Sequence, residues 1–256
     1  MELTKDKIDV SLGRYIRGKK ETIPDEDIIK KVDKYNRYVA RKLYAVHPEV
    51  LQEIQANTTK RHLGDNLLAS IKIDGESVVL VYEKNANGYK SYFCNSSSHR
   101  VYAGLPVCED VEKLFEKSNI SKAIIPGELY AAPGKPPNFG ARSRVSEFIH
   151  YSRSAKTEDE LQRIGFRAYD IIQINDEKYT EKPYVVRYKK LKQVFPEEGR
   201  AAIVRTQVLN EKQLAEFYEK VVVKGDAEGI VIRNSETYRG YKVKPVHTID
   251  AVIIGA

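Results

Sequence analysis

The segment Ser77-Val78-Val79-Leu80-Val81-Tyr82, together with the turn and return strand after it, limits the possible folds more than any other. A continuous apolar run of this length, rich in β-branched residues, reads as a strand buried on both faces. Asn87-Gly88 comes next. That pair favours the two-residue turn whose central residues both take positive φ. Tyr89 to Cys94 can then return antiparallel, so the chain builds sheet by hairpins. Further strands are expected at Ala123-Ile124-Ile125, Ala168 to Ile174, Ala201 to Val208, Gly229 to Arg233 and Ala251 to Ile254. Helices interrupt them irregularly. Thr157-Glu158-Asp159-Glu160 is a capping box. Asn210 with Gln213 opens another helix, running through Leu214, Phe217 and Tyr218. The expected class is α+β, with antiparallel sheets, flanking helices and a pocket between them, rather than a doubly wound parallel sheet.

The front of the chain has a different texture. Residues 1–20 mix charge and glycine and end in a basic run, Arg14 to Lys20. From Pro24, the residues Ile28, Ile29, Val32, Tyr35, Val39 and Leu43 show helical spacing. A second helix is expected over Pro48 to Gln55. Residues 1–60 therefore read as a helical lead-in to a main domain over 61–256. Ala132-Pro133-Gly134-Lys135-Pro136-Pro137-Asn138 reads as a rigid loop, with the basic Arg142 and Arg144 after it.

Composition narrows the function classes. The 256 residues carry 43 Lys+Arg against 36 Asp+Glu, a net charge of +7. That balance suits a polyanionic partner. A chain that is 41% hydrophobic and 31% charged is not a disordered tail. No apolar run approaches the roughly 18 residues of a helical membrane span, and Met1 to Lys7 has no signal-like apolar stretch. Cys94 and Cys108 cannot form a disulfide scaffold or a four-cysteine zinc site. They are expected to pack as small hydrophobes in a reduced, cytoplasmic protein. His99, His150 and His247 have no metal-ligand spacing.

Five short clusters carry possible chemistry. Lys72-Ile73-Asp74-Gly75 is read at a strand start, where alternation puts Lys72 and Asp74 on one face. Gly75 permits close approach of a ligand or another chain segment. Pro126-Gly127-Glu128-Leu129-Tyr130 places a carboxylate just after a strand. Phe166-Arg167-Ala168-Tyr169-Asp170 places an aromatic and an acid in one. Glu228-Gly229-Ile230-Val231-Ile232-Arg233 opens a buried strand with a carboxylate. Tyr241-Lys242-Val243-Lys244-Pro245 puts two lysines on one strand face. Singly, each reads as a solvated strand end. Together they suit a nucleoside triphosphate. Lysines hold phosphate, one carboxylate holds Mg²⁺, another accepts from ribose hydroxyls, and the aromatic stacks on a base.

In this order the clusters resemble nucleotidyltransferase motifs I, III, IIIa, IV and V. These belong to the covalent nucleotidyltransferases, which include ATP-dependent DNA ligases, RNA ligases and mRNA-capping guanylyltransferases. The resemblance runs from Ser70 to the C-terminus. It implies that Lys72 attacks the α-phosphate of ATP and becomes a lysyl-adenylate. It implies main-chain contacts to adenine near Ser70 and Ile71, with Asp74 and Gly75 completing the first motif. It further implies ribose binding by Glu128, base stacking by Tyr169, and Mg²⁺ or Mn²⁺ at Glu228. Lys242 and Lys244 would hold the α-phosphate and favour the neutral amine of Lys72.

The departures are as specific. Where DNA ligases carry an arginine two places after the motif I glycine, this chain has Ser77. Where they carry Ser-Arg-Asn after the first hairpin, it has Asn95-Ser96-Ser97-Ser98. Arg100 is the nearest substitute, and with Arg142 and Arg144 it is a candidate nucleic-acid contact. The stretch from Glu228 to Lys242 is short for a DNA ligase, and no OB-fold domain comes after it. That domain is expected to lie outside this chain or to act in trans. The leading reading is an ATP-dependent polynucleotide ligase adenylation domain, with nicked DNA the likelier substrate. RNA ligase comes second, and a GTP-using capping enzyme third. A nucleic-acid-binding module that no longer adenylates is the alternative from another class. An NAD-dependent ligase is disfavoured, because residues 1–60 lack its tyrosine and aspartate pattern.

Overall fold

A computed structural model of the chain describes residues 15–16, 43–46, 67–86, 90–95, 101–134, 137–139, 158–235 and 240–245. The strands begin with β1 (Tyr15–Ile16), β2 (Leu43–Val46), β3 (Leu67–Ile71), β4 (Glu76–Glu83), β5 (Ser91–Asn95) and β6 (Val101–Ala103). Next come helix α1 (Pro106–Lys117), β7 (Lys122–Ala131), α2 (Glu158–Leu161), β8 (Ile164–Ala168), β9 (Gln173–Ile174) and β10 (Glu177–Lys178). The order ends with α3 (Tyr184–Val194), β11 (Ala201–Ile203), β12 (Thr206–Leu209), α4 (Glu211–Tyr218), β13 (Ile230–Asn234) and β14 (Gly240–Val243).

The strands form two sheets. The first runs β1-β6-β5-β4-β7-β8-β11, with β9 also on β7 and β10 on β9. The second runs β12-β3-β13-β14-β2. Pairing is antiparallel except for β8 with β11 and β14 with β2. The expected α+β class with antiparallel sheets is what the chain adopts. The first hairpin is present, with Glu83 N–H donating to Lys90 O at 2.9 Å.

The first core fills the space between the first sheet, α1 and α3. Val107, Cys108, Val111 and Phe115 of α1 are buried at helical spacing. Phe115 meets Tyr82 edge-on at 4.9 Å and Phe195 at 5.7 Å, in the geometry aromatic pairs prefer. Cys94 and Cys108 are both buried thiols, and burial pushes the Cys108 thiol up to about 12. The second core is smaller. Leu67 and Ala69 of β3 join Leu214 and Phe217 of α4 there, while Leu68 faces the first core. β3 therefore separates the two. The Asn210–Gln213 capping box is present in both directions, each bond 3.0 Å.

Two expected strands are each broken. The run 168–174 divides into β8 and β9 around Tyr169 to Ile172. Tyr169 and Asp170 N–H both turn to Pro126 O, at 3.1 and 3.4 Å, and regular pairing resumes when Ile172 N–H meets Ile124 O at 3.0 Å. Asp170 accepts from the Ile171 N–H at 2.8 Å and from Arg187 Nε at 2.6 Å, which holds the chain out of line. Pro126 suits this gap. Its carbonyl points to the β8–β9 break, so the missing N–H faces the same side and no ladder bond is lost. The run 201–208 divides into β11 and β12, which belong to different sheets. At the crossing, Tyr188 OH donates to Val204 O at 3.2 Å and accepts from Thr206 N–H at 2.9 Å.

The lead-in differs from its helical expectation where it is described. Leu43, expected on a helix face, begins β2, which extends the second sheet beside β14. β1 extends the first sheet beside β6. The expected helices over 24–42 and 48–55, the turn at Asn87-Gly88, the strand over 251–254, and Arg100, Arg142 and Arg144 lie outside the described residues. Among the described residues no helix is long and apolar enough to cross a membrane.

Candidate active site

Lys72 lies just past β3 rather than at a strand start. Residues 72–75 link the second sheet to β4 of the first, so strand alternation does not set the directions of Lys72 and Asp74. Lys72 N–H donates to Gly229 O at 2.8 Å, which ties the link to the residue before β13. The Lys72 ammonium forms an ion pair with the Glu228 carboxylate, the two side chains 21% and 23% exposed. Glycine is needed here for space. A Cβ at Gly75 would lie 2.2 Å from Leu129 O, and one at Gly229 would lie 2.3 Å from Val243 O. These close approaches bring the motif I link onto β7 and the start of β13 onto β14.

Facing the link is a row across the first sheet. Ser77 of β4, Glu128 of β7 and Arg167 of β8 are in register. Glu128 therefore lies inside a ten-residue strand, not beyond its end. The strand runs on through Pro126 because that proline's missing N–H faces the β8–β9 break. Burial raises the Glu128 carboxyl to about 7. Lys72 and Lys242 oppose that rise, while Glu228 and Asp74 add to it. Lys242, opposite Val231 in register, is held below the usual lysine range by burial first and by Lys72 next. Lys244 is exposed one residue beyond β14, its Cβ 3.0 Å from where a Gly229 Cβ would sit.

Tyr169 lies just past β8, not within a strand. Its hydroxyl is 3.1 Å from Ser77 Oγ. Burial, with the nearby Glu128, keeps its proton on well above the ordinary tyrosine range. Ser70 is buried in β3 between Thr206 and Val231. Ile71 is 36% exposed. A cavity of about 740 Å³ opens beside Lys72, lined also by Ile71, Asp74, Glu228, Tyr130, Arg167 and Arg205. Glu128, Tyr169, Lys242 and Lys244 do not line it. Arg167, at the end of the row through Ser77 and Glu128, is the member that reaches the cavity.

Several site-forming residues have no role that the sequence alone assigns. Arg167 donates to Gly199 O at 2.8 Å and also to Phe139 O. It lies 4.8 Å from the Tyr130 ring, and so fastens three segments at the cavity wall. Arg187 and Asp170 form a buried ion pair. Arg233, the last residue of the fourth motif, lies over Tyr169. Arg167, Asp170 and Arg233 stand inside the motifs, but their partners come from elements distant in sequence. Among the described residues, no three His, Cys, Asp or Glu side chains converge to hold a metal by themselves.

A family model described as ATP dependent DNA ligase domain matches residues 48–244. DNA ligase 2 of Thermofilum pendens is 25% identical over 213 residues, 75% of this chain and 34% of its own length. The DNA ligase of Thermococcus fumicolans is 26% identical over 208 residues, 76% of this chain and 35% of its own. The chain spans about a third of the length of these curated relatives. In fold it is similar to the solved structure of Pmar-Lig_PreS3, with a TM-score of 0.55 at 12% identity over 85% of this chain and 51% of that one. With a lysine-bearing link between two sheets, carboxylates around it and a family match over most of its length, the chain belongs to the ATP-dependent DNA ligase domain family.

Proposed function

We propose that this chain is the adenylation unit of a DNA ligase, with Lys72 as its nucleophile. The observation that carries the reading is the charged cluster at the junction of two sheets, where Lys72 pairs with Glu228 and stands near Lys242, and all three act on the Glu128 carboxyl. The neutral Lys72 Nζ attacks the α-phosphorus of ATP. Before the attack the Lys72 ammonium gives up a proton to solvent; an N–P bond then forms, the P–O bond to pyrophosphate breaks, and the proton displaced from nitrogen leaves with the pyrophosphate. A 5′-phosphate oxygen at a DNA nick then attacks the same phosphorus, the N–P bond breaks and Lys72 is restored. Nucleophilic catalysis of this kind divides one difficult transfer into two easier ones.

The other residues bind and orient. Lys242 and Lys244 hold the phosphates as point charges. Ionised Glu128 accepts from the ribose hydroxyls, and Tyr169 stacks on adenine. Ile71 offers the base its main chain at the open end of β3, whereas buried Ser70 supports it from within. The family implies a divalent cation. Mg²⁺ is commonly held by one or two carboxylates together with substrate phosphate oxygens, and Glu228 would supply the carboxylate donor, with the nucleotide's phosphates completing the set. When bound, such an ion supplies charge neutralisation on the departing pyrophosphate. Nucleic acid is the proposed partner, with nicked DNA before nicked RNA. An OB-fold domain in the full protein or in trans is the proposed closing element.

The deciding experiment is incubation with α-labelled ATP and Mg²⁺, then a denaturing gel. Label is expected on the chain, stable to denaturation and labile to acid as a phosphoramidate. Lys72→Ala should remove it. A Lys72→Ala chain labelled as well as the parent would reject the assignment. Chase of the labelled protein into nicked DNA or nicked RNA then identifies the acceptor.

A further inference from the structure

Resting on the adenylation reading, we infer that Arg233 is a positioning residue that fixes the ring of Tyr169 for the base of the nucleotide. Arg233 lies in β13 and is buried. Its guanidinium carbon is 5.4 Å from the Tyr169 ring centroid and 5.1 Å from that of Tyr184. Tyr184 is buried at the start of α3, and Arg187 of the same helix lies 5.2 Å from its ring. Arg187 in turn grips Asp170 through two nitrogens, at 2.6 and 3.2 Å. Cations and rings thus run from α3 and β13 to the segment just after β8. A flat guanidinium suits this place, because it can lie against aromatic faces as a lysine ammonium cannot.

The rest of Tyr169 is also held. Its N–H bonds Pro126 O at 3.1 Å, and its carbonyl accepts from Tyr184 OH at 2.9 Å. Its hydroxyl meets Ser77 at 3.1 Å. These contacts fix the main chain and the tip, and Arg233 fixes the tilt of the ring. Arg233 and Tyr184 are buried, whereas Tyr169 keeps part of its surface exposed. The ring is therefore backed by Arg233 on one side, and on the adenylation reading the base stacks on the other.

The test compares ATP with inorganic tripolyphosphate, which has the phosphates and no base. Binding of each is measured to the parent chain, to Arg233→Met and to Arg233→Lys. Arg233→Met should weaken ATP about 3- to 30-fold, the range expected for loss of one partly desolvated cation–π contact, and raise the KM for ATP in lysyl-adenylate formation by the same factor. Tripolyphosphate binding should not move. Arg233→Lys should recover part of the loss. Unchanged ATP affinity in Arg233→Met would overturn the inference, as would an equal loss for tripolyphosphate, which would mark a general charge effect. Should Arg233→Met fail to fold, Arg233→Lys alone decides, since it must lose ATP affinity selectively. A parent chain that binds tripolyphosphate but neither binds ATP nor takes label at Lys72 would refute the adenylation reading itself. That outcome is distinct from a parent that labels normally with Arg233 variants that match it.

Discussion

Glu128 shows how a single residue feels the whole site. Folding moves its carboxyl from 4.5 to about 7. The folded state therefore holds the proton more tightly than the unfolded chain, and this residue's contribution to stability falls as pH rises from about 4.5 to about 7. Glu128→Gln removes that cost. Above pH 7 the variant should be more stable than the parent by about 1–3 kcal/mol, with no gain below pH 4.5. It should also bind ATP more weakly at high pH, having lost its ionised ribose acceptor. Melting curves and ATP titrations across pH 4 to 8.5 check both halves. A variant whose stability tracks the parent at every pH would mean that desolvation does not raise the half-buried Glu128 carboxyl. The residues around Lys72 are legible in the sequence because each motif keeps charge beside an apolar strand. Arg167 and Arg233 are less so, since their roles depend on Phe139, Gly199, Tyr169 and Tyr184, which local pattern does not place beside them.

At the scale of elements, legibility tracks locality. The β4–β5 hairpin, the α4 capping box and β13 are encoded by neighbours in sequence, and the expected segments match. The breaks at 169–172 and 204–205 are set by distant atoms: Pro126 O in one case, Tyr188 OH in the other. No periodicity announces such partners, so each broken strand reads as one. Helices α1 and α3 escape a sequence reading although their buried faces have helical spacing, because β-branched and aromatic residues in both also suit strands. The crossing from β11 to β12 offers a direct test. Tyr188→Phe keeps the ring and removes only the hydroxyl, leaving Val204 O and Thr206 N–H to find water or go unpaired. The expected cost is about 1–3 kcal/mol, read as a lower denaturant midpoint at unchanged slope. A midpoint equal to the parent's would show that the hydroxyl does not hold the crossing.

Over the whole molecule, two sheets have separate cores that meet at β3 of the second sheet, and Lys72 comes directly where that strand ends. The two halves of the site come from different sheets: Glu128 and Tyr169 from the first, Glu228, Lys242 and Lys244 from the second. The net charge of +7 adds a longer-range term. If nucleic acid is the partner, affinity for a nicked duplex should fall linearly in log–log form as salt rises, because bound phosphates release counterions. Titrations between roughly 50 and 200 mM salt give the slope. Binding indifferent to salt would argue against a phosphate-tracking surface.

The two close-packed glycines also govern how this pocket can change by mutation. At Gly75 and Gly229 even one added carbon meets main-chain oxygen at 2.2 or 2.3 Å, and main chain has little room to yield. Exploration of sequence around the nucleophile is therefore channelled. A library randomised across the site should return glycine at both positions, whatever activity is selected. Diversity should collect instead at Ile71, whose side chain reaches solvent while its main chain alone meets the base. New substrate preferences in such a scaffold would arise at the rim, while the fold around Lys72 stays as it is.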